Sequence, residues 1–212
     1  MKIKSNNLLY KKRLAILESA KRIVMFHGWN NNTFNMIAKN KNFSINEMNI
    51  LFPEGYVDLL KFSLEHINFR LEKKFKNINL SKMPLHKRIR KIFISKFLLI
   101  NENKSFYKKV FFHILLPNNN KLLLKQLYKS VDLMWYISGD HSTDFNFYTK
   151  RIILAGIYTR VIIFYFNNND FEKAVEILDN SLSIVSKIPK YKSRLTIFKE
   201  KIPSMFRFVR NY

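Results

Sequence analysis

Apolar residues recur at intervals of three and four along nearly the whole chain, the period of a helix with one buried face. Leu14, Ile16, Leu17, Ala20, Ile23, Val24 and Phe26 keep that phase, which predicts a helix over Leu8 to His27 that stops at Gly28, a residue suited to the left-handed turn after a helix. Thr33 is the expected cap of a short helix through Ile37 and Ala38, and Ser44 of another through Ile50 and Leu51 that Pro53 ends. Helices are then predicted over Tyr56 to about Phe75, Leu85 to about Leu99, Phe106 to Leu116 and Leu122 to Ile137. Ile152 to Phe166 is apolar almost all round, broken mainly by Gly156, Thr159 and Arg160, so its helix should be central, or sandwiched between a core and a partner. It falls short of the roughly 20 apolar residues that a bilayer span needs. Asn167 to Asn169 ends it, and Phe171 to Ile188 is amphipathic. With only 4 Gly and 5 Pro, the fold class is all-α.

Three divisions follow: a helix-turn-helix-like unit over 1–55, a helical body over 56–188 without repeat or Gly/Ser linker, and a basic amphipathic carboxy-terminal helix over 189–212. The phrase GWNNNTFNMIAKN…FSINEMNILFP resembles the amino-terminal unit of TetR-type regulators, which implies a TetR-like helical bundle. DNA binding does not follow from it. Groove-reading helices need Arg, Lys, Asn or Gln and flanking cations, whereas Asn42 to Leu60 has no Lys or Arg and does contain Glu47, Glu54 and Asp58. Asn46 and Asn49 alone suit base edges, so nucleic acid is not the expected partner. In the last segment Leu195, Phe198, Ile202, Met205, Phe206 and Val209 recur at helical spacing among Lys and Arg, the pattern of a helix lying in a membrane interface. Packing of the same helix on protein is the alternative.

Between the two longest apolar runs lies a polar corner, Gly139-Asp140-His141. Ser142 and Thr143 are suited to cap the following helix, and Asp144 complements its dipole. Trp135, Phe145, Phe147 and Tyr148 crowd around Asp132, Asp140 and Asp144, which is more than a solvent turn needs. The string GDHSTDFNFYTKR followed by LAGIY is similar to the signature of a ubiquinone-biosynthesis family, the ninth coenzyme Q protein, a TetR-fold lipid-binding family, and the resemblance runs from about Ala15 to Lys187. It implies a protein without catalytic activity that binds an isoprenoid or other lipid at the membrane surface and presents it to a di-iron hydroxylase of the same pathway, the partner supplying the iron. The positions matching the family's partner-facing patch are Asp132, Met134, Asp144, Phe147 and Tyr148, with Phe147 standing where the family usually has Trp. A homodimer is expected from the TetR-like layout and the apolar central helix. A TetR-type regulator with an apolar effector pocket is the competing reading.

Composition narrows the chemistry. With 38 Lys+Arg against 15 Asp+Glu the formal charge is +23, which draws the surface to polyanions, although abundant Lys, Asn, Ile and Phe are also what an AT-rich genome encodes. The absence of cysteine rules out disulfides and thiolate ligands, and the amino terminus reads as neither a secretory signal nor a transit peptide, so the expected place is cytoplasmic, at the inner face of the membrane. Five histidines form no helical ligand pair, Asp140-His141-Ser142 are sequence neighbours that do not face one another as a triad must, and no phosphate loop is present. No catalytic residue, metal or cofactor is assigned. The cluster of His86, Lys87, Arg88, Arg90 and Lys91 reads as a solvated face. What remains is apolar volume: 20 Phe, 10 Tyr and 7 Met suit either a Phe-rich core or a cavity for a greasy ligand. By periodicity, Phe93, Phe97, Phe111, Leu115, Trp135, Ile153, Ile157 and Ile162 would line it.

Overall fold

A computed structural model describes residues 8–40, 43–140 and 145–187. Among them there are nine α-helices and no strand: α1 (Leu8–His27), α2 (Asn31–Asn40), α3 (Ile45–Leu51), α4 (Tyr56–Phe75), α5 (Leu85–Asn101), α6 (Lys104–Ile114), α7 (Asn120–Ile137), α8 (Phe145–Asn168) and α9 (Phe171–Lys187), with a 3-10 turn at Pro117–Asn119. The all-α reading holds. The described residues fall into two compact units, divided within α4 and α5: those up to Arg70 with Leu98–Asn120, and Leu71–Phe97 with those from Lys121 onward.

In the first unit α1 ends as its sequence dictates. Gly28 sits at φ +68° and donates its N–H to the Val24 carbonyl at 2.9 Å. The cap of α2 differs from expectation. Asn30 accepts the Thr33 N–H at 2.8 Å, while Thr33 lies in the first turn, buried, with its hydroxyl 3.1 Å from Asn30 Oδ1. Leaving α1 at Gly28 brings the chain back to helical geometry at Asn31, so the residue just before it is Asn30. Ser44 caps α3 as expected, in a reciprocal box: its Oγ accepts the Glu47 N–H at 3.2 Å and its own N–H donates to the Glu47 carboxylate at 3.0 Å. Ile16, Leu17, Ala20 and Val24 bury the inner face of α1. The Arg13 guanidinium packs over the Phe52 and Phe62 rings, at 4.8 and 4.3 Å from their centroids. Arg70 and Glu102 join α4 to the end of α5 by two bonds of 2.6 and 2.9 Å.

In the second unit α8 is the long element, and its fully apolar stretch is not evenly buried. Leu154, Ile157, Tyr158, Val161, Ile162 and Tyr165 face inward, whereas Ile152, Gly156 and Arg160 form an open stripe at four-residue spacing. Its end is set by Asn169, which takes φ +57° and donates to the Tyr165 carbonyl at 3.0 Å. α9 then packs back on it. Phe97 of α5 stacks on Phe171 with centroids 5.1 Å apart and lies 4.5 Å from Tyr165, while Phe93 meets Tyr158 edge-on at 5.5 Å. No described helix is long and apolar enough to cross a membrane. The proposed carboxy-terminal helix, including Leu195, Phe198, Ile202, Met205, Phe206 and Val209, lies outside the described residues, as do His141 to Asp144.

Candidate functional site: an ion-paired aromatic corner

The corner is built from the end of α7. Gly139, at φ +80°, donates to the Tyr136 carbonyl at 3.0 Å, and Asp140 N–H reaches back to the Trp135 carbonyl at 3.1 Å. This is the pair of crossed bonds by which a left-handed glycine closes a helix. Arg88 holds the same end from α5, donating to the Ser138 carbonyl at 3.0 Å. The chain is therefore turned at a fixed point, and α8 starts against α7.

Arg151, one turn and a half into α8, ties the two helices together. Its side chain is only 4% exposed. Nε donates to Asp132 Oδ1 at 2.6 Å, Nη1 donates to the Phe147 carbonyl at 3.1 Å, and Asp140 Oδ2 lies 3.5 Å from Nη1. The guanidinium also lies flat on the Phe147 ring, 3.3 Å from its centroid. Lys150 adds a second cation, 2.7 Å from the buried carboxylate of Asp140 and 5.6 Å from the Trp135 ring. The Trp135 N–H donates to the Lys150 carbonyl at 3.2 Å. Two cations facing two carboxylates in a poorly hydrated place need good geometry to be tolerated, and here each is hydrogen-bonded.

Of the residues assigned to the partner-facing patch, Asp132 is 41% exposed at its side chain, and Phe147 and Tyr148 are half-buried and pack edge to face at 5.1 Å. Met134 is fully buried and so presents no surface to a partner. Asp144 lies outside the described residues. The corner thus offers a carboxylate and the Phe147 ring, both held by Arg151, with Tyr148 packed against that ring. Arg151 and Lys150 were missed from sequence alone. The signal was present, since Asp132 and Arg151 lie at nearly equal distances along the chain from His141.

The eight residues assigned to a greasy ligand divide between the units. Phe111 and Leu115, at the end of α6, belong to the first. Phe93, Phe97, Trp135, Ile153, Ile157 and Ile162 belong to the second, where Phe93, Phe97, Ile157 and Ile162 are buried and Trp135 and Ile153 half-buried. Lys96 and Gln126 are among the buried polar residues of the second unit. Lys96 is 3% exposed, with its ammonium 5.1 Å from the Tyr158 ring, and burial pulls its pKa down to about 7. Burial also raises the Tyr158 phenol well above its usual value. Gln126 is 3% exposed, and neither end of its amide has a hydrogen-bond partner among the described residues. The phase of α5 gives Lys96 away, because Ile89, Ile92, Phe93 and Phe97 bury the same face. Among the described residues no three His, Asp or Glu side chains could hold a metal ion.

Fold and corner together define an all-α protein of TetR-like layout in which an ion-paired corner joins α7 to α8. The COQ9 family model matches residues 121–189, which cover α7, the corner, α8 and α9. The chain is 29% identical over 176 residues to the mitochondrial ubiquinone biosynthesis protein COQ9 of Bos taurus, an alignment covering 79% of this chain and 55% of that protein. The Rattus norvegicus protein is also 29% identical over 176 residues, at 79% and 56% coverage, and the Homo sapiens protein 40% identical over 72 residues, at 33% and 23%. Over these residues the chain is similar to the COQ9 family. It spans about half the length of the first two of these relatives.

Proposed function

We propose that the protein is an accessory factor of ubiquinone biosynthesis that binds an isoprenoid intermediate at the inner face of a membrane and presents it to a di-iron hydroxylase. The observation that carries this reading is the coincidence of two things in one stretch. The COQ9 family model matches residues 121–189. The same residues hold Asp132, Phe147 and Tyr148 on a platform braced by Arg151. Aromatic anchors with a central charge are what interface hot spots consist of. The protein's part is binding and orientation, and the oxidation and its iron belong to the partner. Pairing of two copies suits the open Ile152, Gly156 and Arg160 stripe. Nucleic acid has no place in this role, because α3 exposes Ile45, Asn46, Asn49 and Ile50 and its sequence contains no cation.

Mass spectrometry of organic extracts of the purified protein is the test, and isoprenoid or phospholipid is the expected finding. Extracts free of both refute lipid binding. Removal of 191–212 should release the protein from anionic liposomes with its helicity intact, and unchanged binding removes the tail from the reading.

A further inference from the structure

Between Glu72 and Glu102 the chain has no acidic residue. The cations that α5 carries in this stretch are used differently. Arg88 is bonded to three carbonyls, those of Met83 at 2.6 Å, Ser81 at 2.8 Å and Ser138 at 3.0 Å. Arg90 grips Asp179 of α9 with bonds of 2.5 and 2.8 Å. Lys87 and Lys91 are exposed, and neither forms an ion pair with a described residue. They stand one helical turn apart on the rim of a groove of about 650 Å³, whose other lining residues are Met83, Arg90, Ile94, Ser95 and Asp179.

We infer that this groove binds a terminal phosphate group, a phosphate monoester or diphosphate, whose apolar attachment rests on Met83 and Ile94. Side chains four apart on a helix have their Cβ atoms about 5–6 Å from each other, so two flexible lysine stems can converge on one anion. Left alone, the like charges repel. A phosphate monoester carries about −1.5 to −2 charges near pH 7, which matches two ammonium groups, whereas a phosphodiester carries one. Asp179, the one carboxylate among the described lining residues, is already neutralised by Arg90, and it holds that guanidinium at the wall. Ser95 adds a hydroxyl to the lining. Among the described residues no aromatic ring lines the groove, so they offer none of the stacking platforms that single-stranded nucleic acid uses. The phosphate can come from a lipid in the bilayer or from a soluble compound. The groove shares no residue with the corner or with the eight apolar positions, so this inference and the lipid-presentation reading fail separately.

The test uses the full chain and two double variants of equal charge. Lys87→Gln with Lys91→Gln strips the groove, and Lys108→Gln with Lys109→Gln removes two cations from α6. Circular dichroism checks that both stay folded. Titration with pyrophosphate by calorimetry at low salt should show binding to the wild type, at least tenfold weaker binding to the groove variant, and a change within twofold in the α6 variant. Flotation with phosphatidylcholine vesicles containing phosphatidic acid, or phosphatidylglycerol at matched charge, distinguishes the sources. A wild-type preference for phosphatidic acid that the groove variant loses assigns the phosphate to a lipid; pyrophosphate binding without that preference assigns it to a soluble compound. Equal losses in the two variants, or no pyrophosphate binding by the wild type, overturn the inference. So does a Glu-rich peptide that displaces pyrophosphate at lower concentration, which would give the groove to an acidic protein segment.

Discussion

Replacement of Arg151 by Met removes the group that joins α7 to α8 while keeping most of the buried volume. Three interactions vanish: the 2.6 Å bond to Asp132, the 3.1 Å bond to the Phe147 carbonyl and the 3.5 Å approach to Asp140. Breaking a buried ion pair from one side costs about 3–5 kcal/mol, because the other charge stays desolvated. Here the lower end applies. Asp132 is 41% exposed and rehydrates, whereas Asp140, 6% exposed at its side chain, keeps Lys150 at 2.7 Å. A loss of about 3 kcal/mol moves a urea midpoint down by about 1.5 M if the slope is about 2 kcal/mol per M. Trp135 reports on it, since its N–H is bonded to the Lys150 carbonyl one residue away. Asp140→Asn, which breaks contacts with both Arg151 and Lys150 in the wild type and with Lys150 alone in the Arg151→Met background, should cost less in that background, with a coupling of about 1 kcal/mol or more in the double-mutant cycle. An Arg151→Met protein within about 0.5 kcal/mol of wild type, or a cycle that closes to zero, refutes the claim that the ion pairs hold the corner.

Three further outcomes follow from the buried groups and the patch. Burial lowers the Lys96 pKa from 10.5 to about 7, so the unfolded chain binds more protons than the native one between those values and stability rises with pH across that window. The full penalty, about 5 kcal/mol, applies below pH 7; Lys96→Met should stabilise the fold there and flatten the dependence, and wild-type and variant melting curves that run parallel from pH 7 to 9.5 contradict this. Burial, with Arg70 and Lys21 nearby, lowers His66 from 6.5 to about 4, and its Nδ1 lies 2.8 Å from the Tyr10 hydroxyl. Native-state binding of protons is again the weaker, so stability falls as pH drops from 6.5 towards 4, by about 1–2 kcal/mol after allowance for solvent screening of a half-buried ring; a His66 ring resonance, assigned by its loss in His66→Gln, that titrates near 6.5 in the folded protein excludes it. Phe147→Trp adds an indole N–H donor to the patch and should tighten binding of the proposed hydroxylase several-fold in a pull-down titration, whereas a weaker complex argues that the Phe147 ring only supports Arg151.

The helices were legible because nearly every one buries a single face, and the period of that face survives any composition. Their ends were legible where one residue decides the geometry, as Gly28 and Ser44 do. Asn30 and Thr33 show where that fails, since both side chains can cap and only the path of the chain after Gly28 chooses. The corner was legible as a place and not as a mechanism. Its aromatic residues and aspartates are written in the sequence, but the cations that hold them, Lys150 and Arg151, look like ordinary helix surface until α7 and α8 are folded against each other.

That distinction bears on what the corner can do. If Asp132 were free, its carboxylate would be a mobile charge on a surface already rich in cations, and a poor guide for a partner. Bonded to Arg151 at 2.6 Å, it is oriented before any partner arrives, and the same guanidinium fixes the plane of Phe147 from 3.3 Å away. Preorganisation of this kind lowers the entropy that binding must overcome. It also separates two classes of substitution. Asp132→Asn keeps most of the geometry and removes charge, so it should weaken and reduce the salt dependence of partner association while leaving the urea midpoint within about 0.5 M. Arg151→Met should lower both. If Asp132→Asn instead unfolds the corner as Arg151→Met does, the carboxylate serves the fold and the partner must be recognised by the rings alone.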